Sequence, residues 1–272
     1  MKQYLDALEQ IVETGVDRSG RNGSTRALFG MQMRYDMTDG FPAVTTKKLA
    51  FKVMKAELLG FLRAYSDVKD FQTLGCHVWD ANADADYWKP RAQFEGDLGR
   101  IYGVQWRSWQ APNGQIVDQL ANAIEGIKTQ PHSRRHVVTA WNPGELDQMA
   151  LEPCPTLFQF FVAEGKLSLH LYQRSCDMFL GVPFNIASYS LLLHMVAQVT
   201  DLVPGEFIHT LGDAHIYHIH FEQVETQLQR EPLELPELYL NPKVKSIDDF
   251  KMQDIKLRNY KHHGTIKAPM AV

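Results

Sequence analysis

The run Gln173-Arg174-Ser175-Cys176-Asp177, with Gly181-Val182-Pro183-Phe184-Asn185 close behind it, brings a cation, a hydroxyl, a carboxylate and an amide into one short segment. The planar guanidinium of Arg174 is suited to gripping a dianion, and Ser175 adds a donor beside it. Asn185 carries one acceptor and two donors, enough to read the hydrogen-bonding edge of a heterocycle. Upstream, Cys154 follows Pro153 and is a possible nucleophile. An unactivated thiol, with a pKa of ~8.5, is only a few per cent thiolate at neutral pH, so a lone cysteine is more simply a small buried hydrophobe. Arginines such as Arg174 would move that balance toward thiolate. The combination suggests a nucleotide monophosphate held beside a reactive cysteine, with Cys176 as packing.

A phosphate dianion leaving water must recover several strong hydrogen bonds, so further donors should converge on it. Candidates are Arg21, in Arg21-Asn22-Gly23, with Arg18 as its competitor, and the doublet Arg134-Arg135. The doublet reads equally well as a solvated surface. Asp213, His215 and Tyr217 offer polar groups at the expected start of a helix, where Asp213 could simply be the cap. His215, His218 and His220 could be read as metal ligands, but no nearby carboxylate shows a recognised ligand spacing, and no metal is expected.

These groups need a scaffold. Residues 1–15 place Tyr4, Leu5, Leu8, Ile11 and Val12 on one helical face, an amphipathic helix rather than a signal peptide. Residues 51–63 repeat the spacing through Phe51, Met54, Leu58, Leu59 and Leu62, with Glu57 among them. A carboxylate in such company is either a boundary residue or a partly buried acid with a raised pKa and a proton to move. Residues 116–127 again predict a helix. Residues 157–163, the Glu164-Gly165 turn and residues 166–173 predict a β-hairpin, because Leu167, Leu169 and Leu171 alternate with Ser168, His170 and Tyr172. Residues 186–199 are apolar nearly all round, as a buried central helix requires. Strands and helices intermix without regular βαβ alternation, so the fold class is α+β.

The chain has 272 residues, 44% of them hydrophobic, and lacks an evident linker or repeat, so a single domain over 1–272 is expected. A net charge of −4 supplies no electrostatic footprint for nucleic acid, which is at most a minor partner. Three cysteines without metal-finger spacing suit reduced thiols in the cytoplasm. No apolar stretch reaches the ~20 residues that span a bilayer, so no membrane is expected.

The segment QRSCD…GVPFNIASY resembles the pyrimidine-binding segment of the thymidylate synthase family. Further matches run along nearly the whole chain: DGFPAVTTKK (39–48), Glu57-Leu58-Leu59, GDLGRIYGVQWR (96–107), SRR (133–135), WNPGELDQMAL (141–151), GDAHIYHIH (212–220) and the tail IKAPMAV. The resemblance implies a large twisted mixed sheet flanked by helices, and a homodimer in which the sheets of two subunits face each other. It implies reductive methylation of dUMP, with 5,10-methylenetetrahydrofolate as co-substrate. In that scheme Cys154 is the nucleophile on C6, Glu57 is the acid and base near O4, and Tyr102 assists removal of the C5 proton. Arg21, Arg174 and Ser175 hold the phosphate, joined by Arg134 and Arg135 from the partner subunit. Asn185 selects uracil, Asp177 contacts the ligands, and His215 and Tyr217 bind the 3′-hydroxyl. Lys47, Trp79, Asp177 and Ala271 fall on the folate side, with the tail as a closing flap.

Departures from the family pattern are local. Pro155 replaces the histidine common after the nucleophile and removes a backbone donor there. Gly60 replaces an aromatic and Asn82 a tryptophan, changes expected to open space near the folate that Tyr87, Trp88 or Phe94 could refill. A related activity, hydroxymethylation of dUMP or dCMP, shares the first half of the chemistry, and an inactive nucleotide-binding homologue is a further alternative.

Overall fold

The computed structural model describes residues 1–20 and 22–270. The helices are α1 (Lys2–Thr14), α2 (Phe51–Leu62), α3 (Val68–Thr73), α4 (Asp80–Ala83), α5 (Tyr102–Arg107), α6 (Gln119–Thr129), α7 (Val182–Val199) and α8 (Phe221–Leu228). The strands are β1 (Val16–Gly20), β2 (Gly23–Asp36), β3 (Trp109–Gln110), β4 (Ile116–Val117), β5 (Val137–Thr139), β6 (Pro155–Ala163), β7 (Lys166–Asp177), β8 (Val203–Tyr217), β9 (Glu237–Leu240) and β10 (Ile255–Arg258). Six of them form one sheet in the order β1-β2-β8-β7-β6-β5, antiparallel throughout except for the parallel pair β7/β8. This is the mixed sheet flanked by helices that the α+β expectation describes.

The parallel pair follows from α7, because parallel neighbours need a long crossover and this helix supplies it. α7 begins with Pro183 in its first turn, where a missing N–H costs nothing, and nearly all its residues are buried. By length and composition it could cross a bilayer, yet 78% of it is buried inside the molecule, which marks a core helix. The β6–β7 hairpin closes through Glu164 and Gly165, both at positive φ, the mirror-image turn that suits the strand twist. The inward row Leu167, Leu169 and Leu171 continues to Gln173, so the apolar face of β7 ends in a buried amide.

Two expected boundaries shift. Ile116 and Val117 form β4 against β3, and α6 starts only after Asp118, whose carboxylate accepts from the Ala121 amide at 2.9 Å. Asp213, His215 and Tyr217 do not open a helix; they complete β8, and α8 begins at Phe221 after a short 3-10 turn. Pairing on both sides, with β2 and with β7, outweighs the capping potential of Asp213.

Candidate active site

Cys154 immediately precedes β6 and is half-buried, whereas Cys76 and Cys176 are fully buried. Its backbone N–H donates to the Tyr102 hydroxyl at 2.9 Å. Its carbonyl accepts from the Arg174 amide at 2.8 Å, which ties the loop to β7. Burial pushes the thiol pKa up, while Arg174 and hydrogen bonds from Ser175 and Tyr102 pull it back down. Arg174 thus acts in the expected direction, but burial exceeds it in the free protein. The Arg174 guanidinium donates to the carbonyls of Pro153 (2.9 Å) and Glu152 (3.1 Å) and lies over the Trp141 ring, so it braces the nucleophile's loop.

Two cavities lie beside neighbours of Cys154, which itself lines neither. The larger, about 360 Å³, is walled by Glu57, Phe61, Trp79, Asn82, Tyr102, Leu151, Pro155, Asp177, Leu180, Asn185 and Tyr189, with Met270 of the tail at its edge. The smaller, about 220 Å³, is polar and lined by Arg18, Asn22, Thr25, Ser175, Asp213, His215 and Tyr217. Tyr102 lines the first and Ser175 the second, and both act to lower the thiol pKa. A ligand with an anionic end and a flat end could therefore lie across the cysteine.

Glu57 comes from the core-facing side of α2, and burial raises its pKa to about 8 against a hydrogen bond from Trp79 Nε1 at 3.0 Å. The carboxyl is thus largely protonated at neutral pH. Trp79 is itself buried against Phe61, Phe71 and Tyr102 and also forms part of the cavity wall. Asp177 likewise does two things. Its Oδ1 accepts from the Phe179 and Leu180 amides, capping the turn into α7, while the residue lines the cavity. Asn185, on the first turn of α7, points its Oδ1 at Gln173 Nε2, 3.2 Å away.

Around the polar hollow, Arg18 pairs with Asp213 at 2.6 Å, and His215 Nδ1 lies 3.1 Å from the same carboxylate. Arg21 and Ala271 lie outside the described residues. The three histidines point to separate partners: His215 to Asp213, His218 to Asp17 at 3.1 Å and His220 to the Pro269 carbonyl at 2.8 Å. Among the described residues, no His, Cys, Asp and Glu cluster has the makings of a metal site.

Other expected residues lie elsewhere. Lys47 turns inward, donating to the Phe179 carbonyl and sitting 3.5 Å from the Phe179 ring centroid, with burial lowering its pKa to about 7. It does not line either cavity. Arg134 and Arg135 are exposed before edge strand β5, away from both cavities within this chain. Gly60 opens no space, because Phe71 fills it: a Cβ there would meet the ring at 2.3 Å. Tyr87, Trp88 and Phe94 do not line the cavity; the Tyr87 hydroxyl reaches the Ala150 carbonyl and the Trp88 indole the Asp97 carbonyl. Asn82 does line it. Gln173 and His209, to which no motif assigns a role, are buried polar residues; for Gln173, the Leu167, Leu169, Leu171 alternation carried one step further predicts an amide turned inward.

The model of the thymidylate synthase family matches this chain over residues 2–272.

Proposed function

The chain belongs to the thymidylate synthase family, nucleotide-synthesis methyltransferases that bind dUMP and methylenetetrahydrofolate, and from that premise we propose that it is a thymidylate synthase acting as one catalytic domain in the cytoplasm. It converts dUMP to dTMP, leaving dihydrofolate. The observation that carries this reading is the pair of unlike cavities beside the Cys154 loop, one walled by Tyr102 and Pro155 and the other by Ser175. The polar hollow receives phosphate and sugar, with Ser175, His215, Tyr217 and a loop arginine as donors. The larger cavity receives the base, with Asn185 on its wall, and the pterin against the faces of Trp79, Leu180 and Phe184.

Cys154 adds through its sulfur to C6, making C5 nucleophilic. Its thiolate forms against the cost of burial, a cost that Arg174, Ser175 and Tyr102 reduce. Glu57, protonated near neutrality, serves the O4 side as acid and afterwards takes the proton back. Tyr102, within hydrogen-bonding reach of Cys154, assists loss of the C5 proton. Asn185 donates to O4 and accepts from N3–H, a pattern that cytosine reverses. Asp177 keeps its second carboxylate oxygen for the ligands' polar edges. When bound, the folate supplies both the one-carbon unit and the hydride.

A hydroxymethylase is the second reading, favoured by Asn82, which puts a polar amide on an otherwise largely apolar wall. The filled space at Gly60 supports the synthase instead, since it admits no extra water. Incubation with dUMP and methylenetetrahydrofolate should yield dTMP and dihydrofolate; 5-hydroxymethyl-dUMP as the main product would reverse the assignment.

We also propose a homodimer through the sheet face away from the helices. Val137, Leu157, Phe161 and Tyr172 share that face and are exposed, Phe161 by 65%. An apolar sheet face of this kind marks an interaction surface. Arg134 and Arg135, at the sheet's edge and without a carboxylate partner among the described residues, would reach the phosphate of the neighbouring site.

A further inference from the structure

A polar chain runs from Asn185 away from the cavity and into the core. Gln173 is 2% exposed and donates through Nε2 to Asn185 Oδ1 at 3.2 Å and to the Ser175 carbonyl at 3.0 Å. Its Oε1 lies 2.9 Å from Nε2 of His209, a fully buried residue of β8. The direction of this chain follows from one fixed point. A backbone carbonyl only accepts, so the end of Gln173 facing Ser175 is nitrogen, and the end facing His209 is oxygen. That oxygen also only accepts, so His209 carries its proton on Nε2. Nδ1 of His209 is buried without a partner among the described residues, as a bare lone pair can be at lower cost than a stranded N–H. Around the ring stand the apolar Phe207, Met33 and Leu171, and His170 is the titratable group that acts on it. Burial, with His170 adding in the same direction, lowers the imidazole pKa to about 3, and the ring stays neutral.

We infer that His209, acting through Gln173, is a positioning residue for base selection, holding the Asn185 amide with its oxygen toward the core. The inference rests on Asn185 reading the pyrimidine. One lone pair of Oδ1 is occupied by Gln173, and the other remains for N3–H, with Nδ2 free for O4. Reading cytosine needs the amide reversed, which sets its N–H against the N–H of Gln173. Turning Gln173 to relieve that contact sets its oxygen against the Ser175 carbonyl and its nitrogen against His209 Nε2–H. Without the His209 donor, Gln173 Oε1 would be buried and unsatisfied, and the amide could rotate.

Two measurements test this. In ¹⁵N-histidine-labelled protein, the signal lost in His209→Gln should show a neutral ring protonated on Nε2; an Nδ1–H tautomer would overturn the inference. For the second, Kd for dUMP and dCMP is measured calorimetrically in folded variants. His209→Leu should narrow the preference for dUMP by about tenfold, the scale of one broken buried hydrogen bond, while His209→Gln, which keeps a donor, should retain it. In an Asn185→Ala background, His209→Leu should add nothing. If Asn185→Ala leaves the preference unchanged, Asn185 does not read the base, and this proposal falls with that reading. If Asn185→Ala removes the preference but His209→Leu keeps it, the His209 assignment alone is wrong. Should His209→Leu fail to fold, the tautomer decides.

Discussion

At the scale of single residues, burial sets the acid–base behaviour of the site. The same desolvation that raises the Cys154 thiol pKa lifts Glu57 from 4.5 to about 8, because neither anion recovers in the protein what it loses from water. Cys76, buried deeper, is pushed up to about 11, so it does not compete as a nucleophile. For Glu57 the consequence reaches stability. The folded state keeps a proton that the unfolded chain releases above pH 4.5, so stability from this group is full below that pH. It is lost progressively as pH rises toward about 8, where the folded carboxyl ionises too. Glu57→Gln should flatten this part of the stability–pH curve, measured by denaturant unfolding between pH 5 and 8. The same change should lower kcat by about 10²–10⁴-fold, the usual worth of a positioned acid or base. A variant with the slope intact would show that another group titrates there.

At the scale of elements, the site depends on how helices close against the sheet. α2 carries Glu57, α7 carries Asn185, and the two helices are packed together, with α5 bringing Tyr102 against the same wall. Gly60 lets α3 approach, because the Phe71 ring occupies the volume a side chain on α2 would take. Gly60→Ala should therefore cost about 1–3 kcal/mol through overpacking of a rigid ring. Phe71→Leu should recover part of that loss in the double variant, since the two sites share one space. Thermal unfolding of the four proteins reads this coupling. Additive losses would mean that the ring does not set the tolerance at Gly60.

At the scale of the whole molecule, the sheet has one face under helices and one bare. The bare face carries apolar side chains together with a polar strip, in which Thr210 links His170 and Gln32 across three strands. If two copies join there, Arg134 and Arg135 become part of the neighbouring site. Chains carrying Cys154→Ser and chains carrying Arg134→Ala with Arg135→Ala should each be nearly inactive as homodimers. Refolded together, they should regain activity, because a mixed dimer places both lesions in one site and leaves the other intact. No recovery, with mixed dimers confirmed by mass, would place these arginines outside the partner's site.

Much of this protein is legible in its sequence. The N-terminal helix, the hairpin with its Glu164-Gly165 turn and the apolar helix α7 are all written in spacings between near neighbours, and local patterns report such neighbours directly. The motif residues Glu57, Trp79, Tyr102, Asp177 and Asn185 are likewise found on one cavity wall. What the sequence could not determine depends on partners far along the chain. Asp213 resembles a helix cap until β2 and β7 pair on either side of it. Gly60 resembles a vacancy until Phe71 arrives from another helix. Lys47 resembles a folate-side cation until burial directs it to Phe179. The orientation of the Asn185 amide is the furthest from local reading, since it depends on a carbonyl at Ser175 and an imidazole at His209. Tertiary structure alone decides such cases, because hydrogen-bond direction and packing volume belong to groups that only folding brings into contact.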